Sequence, residues 1–505
     1  MNTKNVLRVI GLVMVFLIVL FLLRIPMVSS LVNDMLYIHP FSWFLVLVIL
    51  VSGFFATALG FENQNAGCIL WATTAVTAVV WIIWLFIQGP LMYADLYRHT
   101  QYVDHALIEQ SSVRRVPYTV AQTNFDNQNP YSKSAPGDLD FVDGQWISSI
   151  DCAGYFNCFS QPTQGFYTYQ PDGEDKVVQT LVEFPFSEAG NLTNSATYFI
   201  RNLNYFTEFH EIIYVQLPDG EVIAVTSLIK RAGFTRYPYL WKVLIIHSDG
   251  RTELLNPADA QADARLEGIA LRPEWLAKQE VIAYGYRYGP SKAIINRLGR
   301  ITIQSSLVND ENSAPFLMQT PYGPMWYTPF SPLGSGSMIG MAMAPSHEPF
   351  APIAIWSLPQ DQAVFAADSL VAEIESSPGH QQAYNWYRET SESACGNVVV
   401  LELVPLVRRE ADGNHLYFMG YVAPAPKSTQ VLFYSIIDPV SRVVFQDLQT
   451  ADEVDAWLRG EFELAPQVDG QTAPEAIANP GEPCSDLSSQ SDESLLEEIR
   501  RRLSK

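Results

Sequence analysis

The sequence predicts an α+β membrane protein in which an N-terminal anchor of three transmembrane helices precedes β-rich, antiparallel-sheet domains. Three apolar stretches near the N-terminus reach spanning length, and from Val116 short β-branched and aromatic runs alternate with turn residues. We predict five segments: three spans in 1–90, a juxtamembrane helical stalk in 91–115, a β-rich domain in 116–310, a second α+β domain in 311–460, and an acidic disordered tail with a short terminal helix in 461–505.

The predicted spans cover residues 6–23, 41–60 and 69–87. About 20 apolar residues, at a rise of about 1.5 Å each, cross a hydrocarbon core of about 30 Å. The first stretch has an alternative as a cleaved signal peptide, because Arg8 precedes much of the apolar run and small residues follow it. Arg24, directly after the run, favours a span instead.

Positive charges flank the predicted spans almost evenly, so they do not decide which side of the membrane carries the large domain. The close pair Cys152 and Cys158 and the scarcity of lysine favour an extracytoplasmic location for the C-terminal domain at the cell membrane. A disulfide between these two cysteines is one prediction, and two buried thiols are the alternative.

The formal net charge of -22 excludes nucleic acid as a natural partner, because the molecule repels phosphate backbones. Charged residues make up only 17% of the chain and aromatic residues 12%, a composition from which we expect most of it to fold. The expected partners are the lipid bilayer and other membrane or extracytoplasmic proteins.

Asp-Gly dipeptides between apolar runs predict β-hairpins, since these residues tolerate the positive φ of tight hairpin turns. Three cases are clear, at Asp219, Asp249 and Asp412. Their predicted strand pairs are 212–217 with 222–229, 241–247 with 251–255, and 398–407 with 415–422.

Two of these regions carry a common pattern of strand, turn, basic residue and second strand, in 239–251 and 431–442. The stretch Ile-Ile-Asp-Pro-Val-Ser-Arg-Val-Val at 436–444 resembles PepSY-type modules, although Ser441 stands where their pattern has glycine. The resemblance covers 205–267 and 416–457 and implies tandem cystatin-like folds, with a sheet packed on a helix, and an ancillary role.

A methionine-rich stretch supplies the one candidate metal site, formed by Met338, Met341, Met343 and His347. Thioether sulfur is a ligand that selects Cu(I). The alternative is that these methionines fill gaps in a buried strand, where Met341 and Met343 would share one face.

No catalytic motif is recognisable, and no cofactor is expected. Glu208, His210 and Glu211 form a polar group at a predicted strand start, which we interpret as a solvated edge. The leading prediction is therefore a membrane-anchored, non-enzymatic scaffold whose exposed sheet edges bind other proteins. The alternative is an enzymatic or Cu(I)-handling ectodomain whose site forms only in the fold.

Overall fold

The structure is a computed structural model of the 505-residue chain. It describes residues 26–60, 64–107, 111–129, 133–142, 144–169, 177–304, 314–358, 364–365, 367–390 and 398–467. The predicted span 6–23 and the terminal helix lie outside these residues. Two compact units are present: unit 1 comprises Met1–Ala106, Asn124–Gln304 and Ala314–Leu358, and unit 2 comprises Leu107–Thr123, Ser305–Ser313 and Pro359–Lys505. Each unit therefore draws on separate segments, unlike the sequential domains expected.

Unit 1 begins with helices α1 (Pro26–Asn33), α2 (Pro40–Gly60) and α3 (Gln64–His99), with a π-helical turn, Asp34–Ile38, after α1. Among the described residues, two windows are long and apolar enough to cross a membrane, Pro40–Thr57 and Gly67–His99. Phe54 and Phe86 on these helices are 69% and 76% exposed, as expected where lipid replaces water. The Ser52 and Thr74 hydroxyls are hydrogen-bonded at 2.8 Å between the two helices.

Helix α3 extends past the predicted span and packs on the rest of unit 1. Tyr93 donates a hydrogen bond of 2.8 Å to Gln279, and Asp95 accepts one of 2.5 Å from Thr235. The predicted helical stalk is wrong beyond His99, because the chain then leaves the helix and Tyr102–Asp104 pairs with a sheet as strand β1. Backbone pairing with β15 satisfies these polar groups in place of the hydrogen bonds of a helix.

Three sheets, which we call sheets 1, 2 and 3, make up most of unit 1. Sheet 1 is an antiparallel meander of β2 (Ser134–Val142), β3 (Gln145–Cys152), β4 (Gly165–Tyr169) and β5 (Val177–Leu181). Sheet 2 repeats this topology with β6 (Ile213–Gln216), β7 (Val222–Ala232), β8 (Tyr237–His247) and β9 (Thr252–Leu255).

Sheet 3 is mixed, because β1 lies parallel to β15 at its edge. Its order is β1-β15-β14-β12-β10, with β11 also on β12, and its strands are β10 (Ile301–Ile303), β11 (Phe316–Thr320), β12 (Gly323–Pro332), β14 (Gly340–Pro345) and β15 (Ile353–Ser357). The short strand β13 (Ser337–Met338) precedes β14. Helices α5 (Ala196–Leu203), α6 (Pro257–Gln261), α7 (Glu274–Tyr284) and α8 (Pro290–Ile295) connect the sheets.

The predicted hairpins of sheet 2 are confirmed, with turns at Asp219-Gly220 and Asp249-Gly250. Gly220 and Gly250 have φ values of 89° and 86°, a region that glycine enters without steric cost. One hydrophobic core includes side chains of sheets 1 and 2, among them Ile147, Phe166 and Tyr214. Burial of this shared apolar surface holds sheets 1 and 2 together.

Unit 2 contains the third predicted hairpin, β17 (Val399–Glu410) with β18 (Gly413–Ala423), and β19 (Phe433–Ile437) on β18. Its other elements include β16 (Val364–Phe365), α9 (Ala367–Ser376), α10 (Pro378–Thr390) and α11 (Ala451–Leu458), and α4 (Tyr118–Gln128) crosses the division at 123. Residues 461–467, predicted as tail, instead bond to this fold, since Gln467 donates its backbone N–H to Val444 O. The cystatin-like assignment stays a prediction.

Candidate functional site

The structure joins Cys152 and Cys158 in a disulfide. Cys152 ends β3, and Cys158 lies in the short 3-10 turn Asn157–Phe159. The bond closes the short loop that follows β3. Asn191 reaches this loop through its backbone N–H, which bonds to Cys158 O at 2.7 Å.

The Cu(I) site predicted from Met338, Met341, Met343 and His347 stays a prediction. Met341 and Met343 are fully buried within β14, as expected for methionines that fill a core. The ring of His347 has Nδ1 at 3.0 Å from Ile269 O and Nε2 at 3.2 Å from Gln261 O. Both ring nitrogens thus face backbone acceptors, which leaves no lone pair directed toward a metal.

The interpretation of Glu208, His210 and Glu211 as a solvated edge is wrong for the two glutamates, whereas His210 is exposed. Glu208 forms a bidentate ion pair with Arg231, at 2.7 and 2.9 Å, with both side chains largely buried. His210 stacks on Trp275 with ring centroids 4.2 Å apart. Glu211 is half-buried and belongs to a group of acidic residues brought together from distant parts of the sequence.

We call this group the carboxylate site and define it by the acidic residues whose charges act on one another in unit 1: Asp138, Asp140, Glu188, Glu211 and Glu274. They come from β2, the loop after β5, the segment before β6 and the first turn of α7. The site lies beside the core shared by sheets 1 and 2. It is the strongest candidate functional site among the described residues.

A β-bulge in β2 positions the first two acids. The register of β2 against β3 shifts between Pro136 and Leu139, which places Gly137 and Asp138 in the bulge. A Cβ at Gly137 would lie 2.1 Å from Ser149 Oγ, so a larger residue there would force the Ser149 hydroxyl to rotate away. Beyond the bulge, Asp140 pairs with Ile147 and shares its face of the sheet, toward the core common to sheets 1 and 2.

Glu188 is held in place by its neighbours in the chain. The buried carboxylate of Asp151 accepts the backbone N–H of Ala189 at 2.5 Å and that of Cys152 at 2.9 Å, and it also accepts the Ser187 hydroxyl. These bonds fasten the loop on both sides of Glu188. Its own Oε1 accepts the hydroxyl hydrogen of Tyr214 on β6 at 2.7 Å.

Glu211 caps helix α7. Its Oε1 accepts the backbone N–H of Glu274 at 2.9 Å, and the N–H of Trp275 also donates to this carboxyl. The residue before the helix, Pro273, offers no side-chain cap, so a carboxyl from another element satisfies the free N–H groups. This bond fixes the orientation of Glu211 through the main chain.

Crowding and burial together raise the pKa values of three of these acids. Burial raises the pKa of Glu188 to about 8, with repulsion from Asp151 adding to the rise. Burial likewise raises the pKa of Glu211 to about 8, with repulsion from Glu274 next. Burial, then repulsion from Glu211 and Glu188, raises the pKa of Asp140 well above its ordinary value.

The groups that act most strongly on these three carboxyls include no lysine, arginine or histidine of the described chain. The site therefore retains protons at neutral pH, where ordinary glutamates are ionised. A neutral carboxylic acid can donate a proton, and an ionised neighbour can accept one. Half-burial leaves the carboxyls within reach of a small molecule while limiting solvation by water.

No protein-family model and no curated protein matches this chain. Among solved structures it is similar to an endo-arabinase from Bacteroides thetaiotaomicron, at 12% identity and a TM-score of 0.17, over 63% of this chain and 76% of that chain. It is also similar to a thermostable family-43 glycoside hydrolase, at 12% identity and a TM-score of 0.17, over 68% of this chain and 78% of that one.

Both matched structures are glycoside hydrolases, and this finding overturns the prediction of a non-enzymatic scaffold in favour of its alternative. A TM-score of 0.17 establishes no common fold, so neither residues nor substrates are transferred to this chain. What the carboxylate site can do follows from its own geometry.

Proposed function

We propose that unit 1 is an enzymatic domain in which the carboxylate site performs acid–base hydrolysis. One observation carries the proposal: Glu188 and Glu211, from different segments, both have pKa values near 8 beside a third raised carboxyl, Asp140. Perturbed carboxyls of this kind concentrate at catalytic sites, because a proton donor works best when its pKa lies near the working pH.

Glu188 is the proton donor in this proposal. Its hydrogen-bond partner Tyr214 contributes a hydroxyl that can rotate as the charge on the carboxyl changes. Glu211 is fixed to backbone N–H groups of α7, so its role is to maintain the acidic surroundings that raise the pKa of Asp140. Asp140 is close enough to Glu188 and Glu211 for their charges to raise its pKa, and it is the candidate base once it has lost its own proton.

The charge of the site restricts the substrate. The charges that act most strongly on Asp140, Glu188 and Glu211 are those of other acidic residues, so the site repels phosphate and carboxylate groups. A neutral substrate with a bond cleaved by protonation of its leaving group, such as a glycoside or an ester, fits this chemistry.

The test measures hydrolysis of a panel of neutral chromogenic glycosides and esters by the full chain in detergent. Glu188→Gln removes the proton donor with little change in shape, and we expect kcat/KM to fall about 100-fold or more. Glu183→Gln is the matched control, since Glu183 is an exposed glutamate of the same loop, and it should retain full activity.

Absence of turnover across the panel, or full activity in Glu188→Gln, would contradict the proposal. A readout that needs no substrate is the NMR titration of 13C-labelled glutamate carboxyls, which should show two midpoints near pH 8. Strong stabilisation by millimolar Ca2+ that disappears in Glu188→Gln would instead identify the group as a cation site.

We further propose that the two apolar helices anchor unit 1 to the cell membrane with its sheets outside the cytoplasm. The helices support an anchor by their length, and the Cys152–Cys158 disulfide supports an oxidising compartment. An Asp219→Cys variant, on an exposed turn, should react with a membrane-impermeant maleimide in intact cells more than the parent chain does. Equal labelling would reverse the assignment.

A further inference from the structure

A pocket of about 240 Å3 lies where the start of α2, the middle of α3 and the β7–β8 hairpin of sheet 2 meet. This place coincides with the start of the apolar window Pro40–Thr57 and falls within the window Gly67–His99. We call it the hairpin pocket. The side chains that matter here are His39, Phe41, Trp84, Gln88, Phe234 and Arg236.

One wall of the hairpin pocket is aromatic. Phe234, at the tip of the β7–β8 hairpin, lies 5.7 Å from Phe41 on α2 and 5.3 Å from Trp84 on α3, measured between ring centroids. Phe234 nonetheless remains 68% exposed, an unfavourable state in water for so large an apolar side chain. Aromatic residues with this placement are enriched where a bilayer meets water.

The opposite side of the hairpin pocket is polar and cationic. Arg236 is half-buried, and its guanidinium carbon lies 5.1 Å from the ring centroid of Tyr37. Within the described ranges no carboxylate forms an ion pair with Arg236, whereas the neighbouring Arg231 is paired with Glu208. Gln88 and His39, bonded to each other, complete the polar side.

The backbone of Arg236 adds a second observation. Its φ of 61° lies in the left-handed region, where glycine is more comfortable than any residue with a side chain. The β7–β8 turn thus tolerates a less favourable residue at the position that places a cation in the pocket. Strain of this kind is commonly stored at ligand-binding sites.

We infer that the hairpin pocket binds an anionic phospholipid, with its phosphate on Arg236 and its upper acyl region against Phe41, Trp84 and Phe234. Guanidinium groups bind phosphate oxygens in a bidentate manner. Phe41 and Trp84 of the aromatic wall belong to the two apolar windows. The inference rests on the proposed membrane anchor and is independent of the acid–base site.

The test uses the full chain, extracted in mild detergent and reconstituted with phosphatidylglycerol or phosphatidylcholine, and native mass spectrometry counts the retained lipid. Arg236→Gly removes the cation and suits the local backbone, so folding should be preserved while phosphatidylglycerol binds about tenfold more weakly. Arg251→Gln is the matched control: Arg251 is an exposed arginine beside the β8–β9 turn, and its loss should leave lipid retention unchanged.

Several outcomes would overturn the inference. These are undiminished phosphatidylglycerol retention in Arg236→Gly, equal retention of phosphatidylcholine by the parent chain, and complete displacement of the lipid by millimolar inorganic phosphate, which would indicate a phosphate site without lipid selectivity. Loss of the chain from membranes on an alkaline wash would defeat the membrane anchor and this inference together, whereas an inactive carboxylate site would leave the lipid result standing.

Discussion

Unit 1 contains two clusters of acidic residues in which the pKa values of the carboxyl groups shift in opposite directions. In the first, Glu253 accepts two hydrogen bonds from Arg265, at 3.1 and 2.8 Å, and a third contact from buried His247. These partners, Arg265 first, lower the pKa of Glu253 to about 2. In the carboxylate site, Glu188 and Glu211 have acidic neighbours instead, and burial brings their pKa values to about 8.

The difference shows what separates an acid that stabilises a fold from one that is available for chemistry. Glu253 remains charged across the physiological range and fastens β9 to the turn that holds Arg265. Burial of Glu188 and Glu211 makes their ionisation unfavourable, so these two residues destabilise the folded protein at neutral pH. Residues that destabilise the fold in this way are typical of functional sites.

The largest expected effect is on the pH dependence of stability. The folded-state pKa values of Glu188 and Glu211 lie above those of the unfolded chain, so the folded state binds more protons and stability falls as pH rises from about 4.5 to about 8. The double variant Glu188→Gln, Glu211→Gln should remove most of this loss, about 2–4 kcal/mol at pH 8. Chemical denaturation at pH 5 and pH 8 measures this loss of stability. An equal fall in the free energy of unfolding in parent and variant between the two pH values would refute the contrast between the two acidic clusters.

A smaller effect is expected from the paired group. Arg265→Gln should lower the free energy of unfolding by about 1 kcal/mol at neutral pH, because solvent screens these partly exposed charges. The pKa of Glu253 is depressed in the folded state, so its contribution exists above the ordinary glutamate range and disappears as pH falls toward 2. The deficit of Arg265→Gln should therefore shrink in acid, and a deficit that is constant with pH would indicate lost packing instead.

The smallest effect tests the electrostatic coupling within the carboxylate site. Asp138 contributes to the raised pKa of Asp140, Glu188 and Glu211, and its own side chain is exposed on the β2 bulge. Asp138→Lys should lower the titration midpoints of Glu188 and Glu211 by about one pH unit. The midpoint of Glu253, read in the same NMR titration, is the internal control and should not move.

Local chemistry made part of this molecule predictable. The turns at Gly220 and Gly250 follow from the residues at the turn itself, and the apolar windows follow from composition over about 20 residues. Both depend on neighbours in the chain, which sequence patterns report directly.

The carboxylate site was not predictable in this way, because its members are separated by as many as 136 positions, from Asp138 to Glu274. Glu211 was misassigned to a solvated edge because the helix N-terminus that it caps begins 63 residues later. The one available signal was Gly137 followed by Asp138 and Asp140, two acids that alternate with apolar residues, a pattern typical of a bulge beside polar residues that face inward.

Helix α3 has a mechanical consequence for the whole of unit 1. Its 36 residues extend about 54 Å, well beyond the roughly 30 Å of a bilayer core. Its C-terminal part is hydrogen-bonded to α7 through Tyr93 and Gln279. Pro90 lies inside this helix and removes one of its backbone hydrogen bonds, so tilt of the apolar part reaches the sheets through a weakened turn. Inserting one alanine between the apolar part and Tyr93 would rotate the sheets by about 100° around the helix axis, and inserting four would lift them by about 6 Å with a rotation of about 40°.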